Sequence, residues 1–213
     1  MVRTFSDAAT FKAFTEQEGG LYRVAWAKTM QVITDKDTGK QTETSLCDYM
    51  LERYNYKPSV DIVLNDIFAS GCQASMAEIK EISEGLGAEP MEPMRQAMLR
   101  YITQYDSSPS VNSFSLNGAS VWLDKDTRVG LMNSTNIAKA MGQDKTTLWL
   151  GETKIEVGCD KAIQLLSALE MYALECFNVT AAHKKAVAEL KTADDVLRYD
   201  YTTGYPAKLT MEV

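Results

Sequence analysis

The chain has a single histidine, four cysteines and no Cys-x-x-Cys pair in 213 residues. A structural zinc site draws close ligand pairs from short turns, so that two ligands reach one tetrahedron together. Cysteines 47, 72, 159 and 176, with His183 as the only imidazole, supply no such pair, and neither a metal nor a cofactor is expected. Met1–Glu18 has no apolar stretch of the signal-peptide kind, so the thiols are expected to be reduced and mostly buried in a protein made in a cytosol. Long apolar runs are missing too: nothing approaches the roughly 18 residues that cross a bilayer. Basic charge is in deficit, with 22 lysines and arginines against 29 aspartates and glutamates, a net of −7. A protein that binds nucleic acid through phosphate neutralises it with a basic excess. Neither nucleic acid nor a membrane is therefore expected as a partner.

Catalytic templates fail one by one. Gly39-Lys40 lacks the upstream glycine and the following Ser or Thr of a phosphate-binding loop. Asp35-x-Asp37-x-Gly39 resembles the start of a calcium loop, but its glycine is one place early and no glutamate closes it. There is no Gly-x-Ser-x-Gly, and a Ser-His-Asp or Cys-His enzyme would have to use His183. What remains is ordinary globular material, 45% hydrophobic and 24% charged, enough for one or two domains with a real core.

Thr4-Phe5-Ser6-Asp7 reads as a capping box, predicting a short helix with Phe11 and Phe14 on one face and an end at Gly19-Gly20. From Leu21 the period changes to two: Tyr22, Val24, Trp26, Met30 and Val32 predict a strand, a turn at Asp35–Lys40 with Gly39 at positive φ, and a return strand from Gln41. Cys47–Tyr56 is ambiguous between strand and helix. Pro58-Ser59 opens a predicted helix of about 25 residues, ending at Gly85-Leu86-Gly87; a third helix carries Met94, Met98, Leu99 and Ile102.

Ser107-Ser108-Pro109-Ser110 is the predicted boundary, giving residues 1–106 and 107–213 as the two regions. Beyond it, Asn117-Gly118 between alternating runs predicts a type I′ hairpin that sets Leu116 against Ala119 and Phe114 against Val121. Asp124 is placed to cap a helix running to Met141. A second small hairpin surrounds Gly151, and Asp160 is placed to cap the longest helix, Lys161 to Leu190. On it Leu165, Leu169, Tyr172, Cys176, Val179, His183, Ala186 and Leu190 are spaced 4-3-4-3-4-3-4. That is a heptad seam, used either inside the molecule or for self-association. Thr192-Ala-Asp-Asp195 predicts a last short helix before an aromatic tail. The fold class predicted is α+β, helix-dominated, with two or three small antiparallel hairpins and one long helix.

The order of these elements, and residues within them, carry a resemblance. The stretches are Phe114…Asn117-Gly118…Val121-Trp122-Leu123, Arg128 and Leu131, and Leu148-Trp149-Leu150-Gly151. They continue with Leu166 to Ala173, Cys176-Phe177-Asn178-x-Thr180-x-x-His183, and Tyr199-Asp200…Gly204-Tyr205-Pro206. Over Val111–Leu209 the chain resembles a family of phage tail-associated domains of uncharacterised function, found in bacteriophages and prophages near tail-fibre and baseplate genes. The resemblance implies a non-catalytic structural component of a tail, in the fibre, baseplate or collar region. It would be made in the bacterial host cytoplasm, located in the virion, and partnered by other tail proteins or by copies of itself through the long helix. It brings no catalytic residues. An assembly factor that leaves the finished fibre is the alternative, and a small hydrolase using His183 is a third reading. Because aromatics bury much area at low entropic cost, Phe11, Phe14, Trp122, Tyr201 and Tyr205 are the expected partner-contact residues.

Overall fold

β-forming residues at the start of the chain outweigh its capping signal. In the structure, a computed structural model that describes residues 1–212, Val2–Asp7 is a strand, β1. Val2, Thr4 and Phe5 suit a pleated, half-buried surface. Asp7 does cap, its carboxylate accepting from the Ala9 N–H at 2.8 Å, but it caps only a single 3-10 turn, Ala8–Thr10. Phe14–Gln17 is then strand β2, which replaces the predicted helix. β3 (Leu21–Thr34) and β4 (Gln41–Tyr54) form the predicted hairpin. With 14 residues in each strand it is larger than the small hairpins the sequence suggests, and the ambiguous end of β4 is strand up to Tyr54. Gly39 has φ +68° in the turn. There the Asp35 carboxylate accepts from the N–H groups of Thr38 and Asp37, at 2.8 and 2.9 Å, and these bonds hold its pKa below the usual carboxylate range. The four strands make an antiparallel sheet in the order β1-β4-β3-β2.

The chain divides into two units, Met1–Leu99 with Val187–Tyr199, and Arg100–Ala186 with the residues from Asp200 on. In the first, the single long helix predicted from Ser59 is two: α1 (Val60–Ala69) and α2 (Met76–Gly85). Ser59 caps α1 as expected. The break arises from Gly71 at φ +71° and from Ser75, which starts α2 with a reciprocal capping box to Glu78. Two acidic residues of α2 then clasp the sheet. Glu78, buried, accepts from the N–H groups of Ala27 (3.2 Å) and Lys28 (3.0 Å), and Glu81 accepts from that of Ala13 (2.9 Å). Gly85 leaves room for Phe14: a Cβ there would stand 2.1 Å from the ring. Trp26 is fully buried, its indole N–H donating to the Ser70 hydroxyl at 3.2 Å. α3 (Met91–Asp106) has the buried Met94, Met98 and Ile102 expected of it.

At Ser107–Ser110 the chain enters a short helix, α4 (Pro109–Asn112), capped by Ser108. In the second unit β5 (Phe114–Leu116) and β6 (Ala119–Val121) pair in the predicted register, with Asn117 at φ +50° and Gly118 at +84°. Gly118→Val would force a β-branched residue into that region and is expected to cost about 1–3 kcal/mol; a wild-type melting temperature would show the turn to be of another type. α5 (Lys125–Ala140) is capped by Asp124, whose carboxylate accepts from the Thr127 hydroxyl and N–H and is thereby held below its ordinary pKa. β7 (Lys145–Leu150) and β8 (Thr153–Gly158) form the other hairpin, around Gly151.

The long helix, α6 (Cys159–Glu189), starts two residues before the predicted point, with Asp160 in its first turn and ion-paired to Lys139. Its Leu165, Leu169, Tyr172 and Cys176 are buried in a core built with Phe114, Val121, Leu148 and Leu150. The expected seam does not continue past that point: Thr180 and Val187 are buried, whereas Val179, His183 and Ala186 are half-exposed. A straight helix drifts about 20° per heptad from a strict seven-residue repeat, and four residues after Cys176 the buried face falls on Thr180. α7 (Ala193–Arg198) is capped by Thr192 and belongs to the first unit, with Val196 buried and Asp194 ion-paired to Lys80 of α2 at 3.1 Å. Last, β9 (Thr210–Met211) lies parallel to β5. With 45% helix and 27% strand, in sheets that are antiparallel apart from the β5–β9 pair, the chain is α+β.

Tyr172 links this core to pH. Its hydroxyl donates to the Val111 carbonyl at 2.7 Å, and burial, aided by Cys176, pushes its pKa up to about 12. The folded state thus favours the neutral phenol. That stabilisation is complete below about pH 10 and is lost as pH rises toward 12. Melts of wild type and Tyr172→Phe across this range are expected to converge as pH rises; parallel curves would mean that the phenol is not desolvated.

Candidate functional site

Where β6 ends, the chain must turn from a sheet into a helix, and the groups that make the turn also shape a groove. Leu123 is buried, Trp122 points the other way, and Asp124 caps α5. One turn into α5, Arg128 is buried, its guanidinium donating to the Leu123 carbonyl at 2.8 Å and to Glu170 Oε1 of α6 at 2.9 Å. A desolvated charge is tolerated only when paired and hydrogen-bonded. This pair fixes α5 to α6 and so sets the width of the groove beside it. The groove has a volume of about 560 Å³, within the range of ligand and peptide clefts.

Its walls combine Trp122, Leu174 and Phe177 with Asp106, Asp124 and Glu170. Trp122 is 40% exposed and Phe177 58% exposed, far more than side chains of their size in a core. Met171, Leu174 and Phe177 succeed one another at three-residue intervals as exposed residues of α6, the first two across the helix from the buried row and Phe177 flanking it. The polar groups are occupied in part by structural work. Asp106 Oδ1 accepts from the Thr180 hydroxyl at 2.7 Å, Asp124 caps, and Glu170 holds Arg128. Ser107, which also lines the groove, donates its hydroxyl to the Thr103 carbonyl at 3.1 Å, and His183 is not among the lining residues.

Of the residues expected to meet partners, Trp122 is in the groove and the other four pack within their own units. Phe11 meets Tyr49 edge-on at 5.1 Å with the Lys28 ammonium over its ring. Phe14 lies on Gly85 and against Tyr22. Tyr201 and Tyr205 both meet Tyr105 at 5.6 Å, and the Tyr205 hydroxyl is 3.0 Å from that of Thr180. His183 donates from Nε2 to the Thr203 carbonyl at 2.9 Å, with its ring beside Tyr205. All four cysteines are free, three of them buried and Cys72 half-buried. Among the described residues no three histidine, cysteine, aspartate or glutamate side chains come together in a cluster able to hold a metal, and no helix is long and apolar enough to cross a membrane. The row Met171–Leu174–Phe177 escapes the sequence reading because an exposed apolar row and a core row have the same spacing. Its signal is that it falls outside the buried seam on a helix already carrying a complete core face.

No family model matches the chain, and neither does any curated protein or solved structure.

Proposed function

We propose that the protein is a non-catalytic structural or interaction component of a bacteriophage or phage-like tail, in the fibre, baseplate or collar region. The observation that carries the interaction part of this reading is the groove of Trp122, Leu174 and Phe177: large apolar side chains left in solvent beside a rigid Arg128–Glu170 brace. Aromatics held on fixed elements, with a polar rim, are the material of an interface centre. The tail part rests on the resemblance over Val111–Leu209 and on the order of hairpin, helix, hairpin and long helix. In this reading the partners are other tail proteins rather than nucleic acid or membrane, the site is the virion, and no cofactor takes part.

Trp122→Ala combined with Phe177→Ala tests it. Both side chains are exposed, so the melting temperature is expected to move little, by under about 1 kcal/mol of stability per site. Incorporation into particles is expected to fall at least about tenfold, the loss of roughly 1.4 kcal/mol or more of binding. Wild-type incorporation by the double variant would remove the groove from the interface.

A further inference from the structure

One row of the four-stranded sheet carries two arginines side by side. The register sets Arg23 of β3 directly opposite Arg53 of β4, with Thr15 of β2 opposite Arg23 on its other side. Residues paired in this way share a face of the sheet, their Cβ atoms about 4.5–5.5 Å apart, and like charges so placed repel each other. The next positions along the same face, Leu21, Ala25 and Leu51, carry no charge. Glu52, the neighbour of Arg53 in sequence, falls on the other face and is ion-paired to the N-terminal amine. No ion pair among the described residues includes Arg23 or Arg53.

The two side chains differ in burial. Arg53 is exposed, whereas Arg23 is half-buried, with its Nε shut away from solvent and without a hydrogen-bond partner among the described residues. A donor removed from water with no acceptor in exchange is a net cost, and a guanidinium cannot escape it by losing its proton. Acceptors are not scarce in this chain, which has 29 acidic residues against 22 basic ones. Arg128 holds Glu170 and the Leu123 carbonyl. Arg95 also has an unpaired Nε, but its other two nitrogens hold Glu92 and the Leu190 carbonyl. The guanidinium of Arg23 has no such partner among the described residues, and it faces a second cation.

We infer that Arg23 and Arg53 together bind a phosphoryl group, as inorganic phosphate or as the head of a phosphate monoester. Two guanidiniums present two planar forks of donors and two positive charges. A carboxylate has one charge and two oxygens, so it fills one fork and leaves the second arginine uncompensated. A phosphoryl group carries a charge of about −1.5 to −2 at pH 7 and three acceptor oxygens, enough for both arginines and for the Thr15 hydroxyl in the same row. A single oxyanion thus cancels the repulsion across the strands and supplies the acceptor that Arg23 Nε lacks. The site belongs to the first unit and shares no residue with the Trp122 groove, so the inference does not depend on the tail reading.

Titration of the full, nitrogen-15-labelled chain with inorganic phosphate and with glycerol 2-phosphate, at constant ionic strength and followed at the arginine Nε–H resonances, tests it. Phosphate is expected to shift the Arg23 signal and to saturate with a dissociation constant below about 1 mM, and acetate to bind at least about tenfold more weakly. Saturation by glycerol 2-phosphate as well would assign the site to a phosphoryl group carried on a larger molecule; saturation by inorganic phosphate alone would assign it to the free ion. Arg53→Gln is expected to weaken phosphate binding at least about tenfold. Arg53→Glu gives Arg23 a cross-strand carboxylate, so without phosphate it is expected to melt at or above the wild-type temperature while binding no phosphate, which separates loss of the site from loss of the fold. No saturable shift with either phosphate compound, acetate binding as tight as phosphate, wild-type affinity in Arg53→Gln, or a lowered melting temperature in Arg53→Glu would each overturn the assignment.

Discussion

Glu78→Ala is expected to destabilise the first unit by about 3 kcal/mol or more. Hydrogen bonds to a charged group contribute about 1.5–3 kcal/mol each, and the loss is largest when the partners stay buried and unpaired. Three backbone donors depend on this carboxylate: Ser75 at 2.7 Å, Lys28 at 3.0 Å and Ala27 at 3.2 Å. Ala27 is held at φ +56°, a conformation that a non-glycine residue keeps only when its surroundings fix it. The same side chain therefore starts a helix and pins a strained bulge. Glu78→Gln offers one carbonyl oxygen where two oxygens act, and is expected to lose roughly half as much. Chemical denaturation gives the magnitude, and hydrogen exchange at Ala27 and Lys28 gives the location. A change within about 1 kcal/mol for Glu78→Ala would mean that the bulge is held by other means.

In the second unit the largest effect is expected from Phe114→Ala, about 3–5 kcal/mol. Phe114 is 1% exposed, pairs with Val121 across the hairpin and faces the core row of α6. A three-residue strand cannot collapse into the void left by a phenyl ring, because its register is locked by the Asn117-Gly118 turn. The groove should weaken along with it, since Trp122 and Asp124 are positioned by the end of β6. A variant that kept its stability would show that the hairpin is not part of the core.

What could be read from the sequence was local chemistry that tertiary packing does not oppose. Asn117-Gly118, Asp124, Ser59, Thr192 and the Asp35–Lys40 turn act through their own backbone neighbours, and each does in the structure what its residue type predicts. The N-terminal capping box failed because Thr4 and Phe5 gain more as β-formers beside β4 than as the entry to an isolated helix. The break between α1 and α2 was legible, since Ser75-x-x-Glu78 is a capping box, but the start at Pro58-Ser59 and the stop at Gly85-Leu86-Gly87 predicted one continuous helix across it. The heptad seam of α6 is right up to Cys176 and then drifts, as the pitch of a straight helix requires. The groove was only half legible. Trp122 stands among the expected partner contacts, whereas Leu174 and Phe177 acquire meaning only once the core face of α6 is known to be full.

Quantitative mass spectrometry of purified phage or phage-like particles, from a host producing this chain, tests the central claim most directly. The account predicts the protein in the particles at a fixed integer copy number relative to the tail subunits, retained through gradient purification and lost from tail-less particles. Its absence from finished particles, or an amount that varies from one preparation to the next, would contradict it.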